Sequence, residues 1–146
     1  MLTKTSVAFS GLVPNLVSLI EAWEPESLAS ELKFRDSLLH FIRENVPSDC
    51  QVEREYRHRG TTTDIFVRWS GLLGNSEVFL EVKRNLNKKA ILDRLIGQVE
   101  TLEPGKRGIV VVLVGDTDQA LLGRLKSKYA AFEVGLWEEA VAIVVK

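Results

Sequence analysis

Apolar positions run through this chain in two rhythms. From about Pro25 to Asn45, Leu28, Leu32, Phe34, Leu38, Leu39, Phe41 and Ile42 recur at threes and fours, which predicts an amphipathic helix that Pro47 ends. The apolar stretch Leu12–Trp23 predicts a shorter helix, with Pro14 in its first turn. Alternation then takes over. Gln51–His58 reads as a strand with Val52 and Tyr56 on one face, and Arg59–Thr62 as a turn. "TDIFVRWSGLLGNSEVFLEVK", Thr63–Lys83, reads as a hairpin: two apolar runs around a Gly-rich turn. A helix follows from Lys88 to Leu102, with Asn87 as its expected cap and Pro104 and Gly105 beyond its end. "GIVVVLVG", Gly108–Gly115, is a continuous apolar run, as in a strand buried on both faces. Asp118–Ala130 reads as a helix with Asp116 or Thr117 near its cap. The tail gives one or two strands, the surer being Ala140–Val145. The order α-α-β-β-β-α-β-α-β predicts an α/β sandwich around a mixed sheet.

At 146 residues the chain suits one domain with a real core, and 45% apolar with 27% charged residues is a globular composition. The single cysteine, Cys50, allows no intrachain disulfide and fits a reducing cytoplasm; two histidines, His40 and His58, make no zinc site unaided. Leu12–Trp23 is too short and too interrupted to span a membrane, and lacks a signal peptide's flanks. It reads as a core helix or a partner-facing one. The net charge of −1 argues against bulk electrostatic binding of nucleic acid but not against a local basic face. Acidic residues collect early, whereas Arg54, Arg57, Arg59, Arg84, Lys88 and Lys89 flank the hairpin.

The hairpin raises a chemical question, because it carries Asp64, Glu81 and Lys83 among Ile, Phe, Val and Leu. With the turn centred between Leu72 and Leu73, Ile65 meets Leu80, Phe66 meets Phe79, Val67 meets Val78 and Arg68 meets Glu77. Apolar residues then oppose apolar ones, charges oppose with unlike sign, and Asp64 faces Glu81. Sliding the pairing by four sets Ile65 against Arg84 instead. Alternation puts Asp64, Glu81 and Lys83 on one face and Val82 on the other. Two close carboxylates repel unless a cation lies between them, and hard oxygen ligands suit Mg²⁺ or Mn²⁺.

The pattern Asp64 … Glu81-Val82-Lys83, with this order of elements, resembles the PD-(D/E)XK nuclease superfamily over roughly residues 27–115. The resemblance implies a restriction-endonuclease-like fold with an α-β-β-β-α-β core, and metal-dependent hydrolysis of DNA phosphodiesters, with RNA also open. It implies a metal held by Asp64, Glu81, the Val82 backbone carbonyl and a helical Glu31, with Lys83 stabilising charge. Glu53 and Glu55 stand as alternatives to Glu31, and Gln98, at the edge of its helix's apolar face, would reach toward the site. Thr63 departs from the family's proline before the aspartate. The six basic residues named above would grip phosphates without reading bases. A homodimer is expected, with the apolar N-terminal helix as interface. Two other readings stay open: an inactive module that keeps the fold and binds nucleic acid or protein, and an interaction protein that pairs through the N-terminal helix and "GLW" at Trp137.

Overall fold

In the computed structural model, residues 2–3, 5–7, 11–25, 30–58, 60–71, 74–133 and 140–146 are described. The helices are α1 (Leu12–Ala22), α2 (Glu31–Glu44), α3 (Lys89–Thr101) and α4 (Gln119–Glu133). The strands are β1 (Gln51–His58), β2 (Thr61–Gly71), β3 (Gly74–Arg84), β4 (Gly108–Val114) and β5 (Val141–Val145). The five strands lie side by side in sequence order. β1–β2 and β2–β3 pair antiparallel, as tight connections allow, while β3–β4 and β4–β5 pair parallel through the crossover helices α3 and α4. This is the α/β architecture and the α-β-β-β-α-β core order expected for a restriction-endonuclease-like sheet.

Each face of the sheet buries its own apolar cluster. Leu12, Leu16 and Ile20 of α1 with Leu38 and Ile42 of α2 pack on Ile65, Val67, Leu80, Val82 and Val112. On the other face, Leu92, Leu95 and Val99 of α3 with Leu125 and Tyr129 of α4 pack on Phe66, Phe79, Val111 and Leu113. Covered on both sides, β4 is buried at every residue, which is why its sequence shows no alternation. The N-terminal helix is therefore a core element. Its buried face is spent on the sheet, and the expected dimer interface there is corrected accordingly.

Helix starts also differ from expectation. α2 begins at Glu31, not Pro25: Ser30 is its N-cap, its side chain accepting from the Lys33 N–H at 3.2 Å. Leu28 lies outside the described residues. Asn87 is not the cap of α3; that position is Lys88, without a side-chain bond, while the Asn87 N–H turns back to the Asn85 carbonyl. At α4 the capping oxygen is that of Asp118, which accepts from the Leu121 N–H at 3.0 Å, rather than that of Asp116 or Thr117. Trp137, and with it "GLW", lies outside the described residues. Among the described residues no helix is long and apolar enough to cross a membrane.

Candidate active site

The hairpin pairs in the register its apolar residues dictate, Ile65 with Leu80, Phe66 with Phe79, Val67 with Val78 and Arg68 with Glu77. Pairing of β2 with β3 stops at Ile65–Leu80, and β3 continues along β4 to Arg84. On its other side β2 pairs with β1, but the ladder skips one pair: Arg54–Ile65 and Tyr56–Thr63 are present, and the Glu55–Asp64 pair between them is missing. Asp64 is thus the one residue of β2 with a partner on neither side. Its carboxylate takes the place of a strand, accepting the Val82 N–H at 2.9 Å. One step on, the Arg84 N–H is bonded by Glu31 Oε2 at 3.0 Å. Two backbone donors left open by the end of β2 are satisfied by two carboxylates, as buried amides require.

Glu81 lies beside Asp64 and is 4% exposed. Burial pushes its pKa up to about 8, reinforced by the charge of Asp64 and a hydrogen bond to it; Thr63 and Lys83 oppose the rise. Burial also raises Asp64, opposed by the Val82 N–H and by Glu81. Two carboxyl groups so placed do not both ionise in a site without a cation. The hydrogen bond between the two raises Glu81 and lowers Asp64, the pattern of Glu81 as the protonated partner. Thr63, next to Asp64, is buried, and its hydroxyl donates to the Leu80 carbonyl at 3.1 Å. It closes the floor of the gap with a side-chain bond.

Lys83 Nζ, on a side chain 12% exposed, lies 3.5 Å from Glu31 Oε2. Glu31 therefore reaches the site from α2, within Coulombic range of Asp64, while engaged by Lys83 and the Arg84 N–H. The alternatives are engaged elsewhere: Glu53 accepts from Gln51, and Glu55, across the open rung from Asp64, pairs with Arg35. Gln98 is exposed on α3, and the Thr101 hydroxyl donates to its backbone carbonyl. Of the basic set, Arg57, Lys88 and Lys89 are exposed, Lys89 facing Asp93 at 3.9 Å. Arg54 lies 3.6 Å from Asp36, and Arg84 is half-buried beside Lys83. Arg59 lies outside the described residues.

The residue that sequence reading missed is Arg35. It is 6% exposed, and its Nη1 donates to Glu55 Oε1 at 2.8 Å while Nε and Nη2 donate to Asp36 Oδ1. Its positive charge favours ionised Asp64. A signal existed: stepping about 100° per residue, Arg35 falls inside the stripe marked by Phe34, Leu38, Leu39 and Ile42. A guanidinium in an apolar stripe needs a partner inside the fold.

Among the described residues no three His, Cys, Asp or Glu side chains converge as a ready metal cage. The donors that do meet are two carboxyl groups, Glu81 buried and Asp64 half-buried, which do not both ionise readily without a cation. A hard divalent cation relieves that conflict, so the pair's chemistry fits Mg²⁺ or Mn²⁺. Glu31 stands next to the pair but is turned to Lys83 and Arg84.

No protein-family model and no curated protein matches the chain. Among solved structures it is similar to a repair endonuclease from Pyrococcus abyssi, at 16% identity and a TM-score of 0.47, over 84% of this chain and 49% of that one. It is also similar to SfsA from Pyrococcus furiosus in complex with Ca²⁺, at 15% identity and a TM-score of 0.47, over 77% of this chain and 56% of that one. The chain spans about half the length of the solved structures it matches.

Proposed function

We propose that this chain is a metal-dependent phosphodiesterase of the PD-(D/E)XK type, acting on DNA. The observation that carries the reading is buried Glu81 beside half-buried Asp64 in a break of the sheet, with the Lys83 ammonium on the same face. Asp64 and Glu81 would hold the ion, joined by the Val82 carbonyl, since the N–H and C=O of one strand residue point to the same neighbouring edge. When bound, Mg²⁺ or Mn²⁺ supplies Lewis-acid activation of water and neutralises charge on the phosphoryl oxygen. To serve as a ligand Glu81 would have to release its proton to solvent, since only the ionised carboxylate binds a hard cation. Lys83, released from Glu31 by the incoming phosphate, meets the charge that grows on the phosphoryl group. Arg54, Arg57, Arg84, Lys88 and Lys89 position the backbone of the nucleic acid. A two-fold pair of chains would supply two sites for two strands, through a surface other than the α1 face.

The engagement of Glu31 with Lys83 and Arg84, in place of a three-carboxylate cage, favours a second reading: an inactive module that binds nucleic acid. Calorimetric Mn²⁺ titration, with a cleavage panel over branched, linear and circular DNA and RNA, separates the two. The enzyme reading expects Mn²⁺ binding and metal-dependent cutting that Lys83→Ala abolishes or slows. A wild type that binds no divalent ion and cuts nothing in the panel refutes it.

A further inference from the structure

Three features of the molecule lie together where β1 meets α2, beside the Asp64 of the site proposed above. Glu55 has φ +52°, in the left-handed region that a residue with a Cβ seldom enters. Glu55 stands at the single missing rung of the β1–β2 ladder, and the residue across that rung is Asp64. The carboxylate of Glu55 is held at 2.8 Å by Arg35, whose guanidinium is buried while the Glu55 side chain is 58% exposed. A non-glycine residue keeps such a backbone only when its surroundings over-determine it. Here the surroundings are one charge-assisted bond to a buried, rigid fork. Asp36 fixes the same fork from the other side, through Nε and Nη2.

The geometry points to Arg35 and Glu55 as a positioning pair for Asp64. Arg35 holds Glu55 out of the ladder, and the opened rung leaves Asp64 free to turn from β1 toward the Val82 N–H and Glu81.

The physical logic is that of a strand with two possible neighbours. A residue in the middle of a sheet ordinarily spends its backbone on the strands beside it, and its side chain stands perpendicular to the sheet. Asp64 instead lies in the plane of the gap, its carboxylate bonded to a backbone amide of β3. If Glu55 relaxed to extended backbone, the ladder from Arg54 to His58 would close without interruption, because the pairs on both sides keep one register. Asp64 would then be drawn to β1. Arg35 also lies one helical turn from Glu31, at i and i+4 on the same face of α2. One helix thus delivers both a carboxylate to the end of β3 and the clamp that sets the carboxylate of β2.

The inference concerns the site of the proposed reaction, yet it is read without metal or nucleic acid. The probe is the Val82 amide in ¹H–¹⁵N spectra of metal-free protein, with its hydrogen-exchange protection. In wild type that amide is bonded to a carboxylate and is expected downfield and protected. Glu55→Val places a β-branched residue, which does not tolerate positive φ, on an exposed position, so the fold should survive. Arg35→Met removes the fork at similar length. In both, Val82 should move upfield and lose protection on the order of tenfold. Glu55→Gln keeps the acceptor oxygen and should retain the wild-type signal. Where wild type binds Mn²⁺, the two disrupting variants should weaken it by about 10- to 100-fold, as loss of an outer partner does. An unchanged Val82 amide in folded Glu55→Val overturns the proposal, whatever Arg35→Met does. A shifted amide in a protein that neither binds Mn²⁺ nor cuts DNA would instead overturn the nuclease reading and leave the positioning pair standing.

Discussion

Replacing Glu81 with glutamine should make the metal-free protein less sensitive to alkali. In the fold Glu81 keeps its proton up to about pH 8, because it is buried against Asp64. In the unfolded chain it titrates near the ordinary 4.5. Between these values the folded state binds a proton that the unfolded state has lost, so stability falls as pH rises. The contribution is whole below about pH 4.5 and is gone once pH has passed about 8. Each tenfold in proton affinity is about 1.4 kcal/mol, which sets a ceiling near 5 kcal/mol. Coupling to Asp64 and relaxation around the gap reduce this, and a loss of roughly 2–4 kcal/mol from this group is expected between pH 5 and 9. Glutamine has the shape of the protonated acid and can donate to Asp64 without titrating. Urea unfolding of both proteins with chelator at pH 5, 7 and 9 makes the comparison. Wild type should lose more stability than Glu81→Gln across that range, and the variant should be the more stable at pH 9. Curves that run parallel within the extrapolation error would refute the reasoning.

Asp64→Asn should abolish the heat of Mn²⁺ binding, whereas Lys83→Ala should retain it and slow single-turnover cleavage by about 10²–10³-fold. Gly115→Ala should lower stability by about 1–3 kcal/mol in urea titration, since φ is +74° there and a Cβ would press on Asn85 Oδ1. That oxygen already caps the Asp116 N–H at 2.8 Å, so it has nowhere to retreat. Arg57→Glu combined with Lys88→Glu should weaken DNA binding in fluorescence anisotropy and flatten its salt dependence, by about one unit of slope for each phosphate no longer neutralised.

The hairpin register was legible because the apolar residues of β2 and β3 can be matched in only one way without burying Arg68 or Arg84 against a hydrocarbon chain. From that register alone Asp64 comes to face Glu81. β4 was legible for the opposite reason, since six successive apolar residues without alternation suit the middle of a covered sheet. Helix starts were less so: α2 is capped by Ser30 and α4 by Asp118, and both have rival polar residues within a few positions. The apolar content of α1 marked it as buried but could not say against what, and the sheet took the place reserved for a second copy. The break at Asp64 was not legible at all. It depends on a left-handed Glu55 held from twenty residues away by Arg35, and nothing local to "EREYR" announces a positive φ.

The strands stand in the sheet in the order in which they are made. A chain growing from its N-terminus has produced α2, the meander and every polar group of the gap by the time Arg84 emerges. At that stage the outer edge of β3 is still wet, and Phe66 and Phe79 have no helix over them. The two carboxyls would then lack the burial that raises both in the finished fold. They become a pair that must share one proton only when Val111 draws up beside Glu81 and α3 and α4 close the face. The segment beyond Arg84 thus supplies no carboxyl group to the gap, yet it sets the acidity there by excluding water, and a packing defect in β4 or α4 would register first as a change in the titration of Glu81.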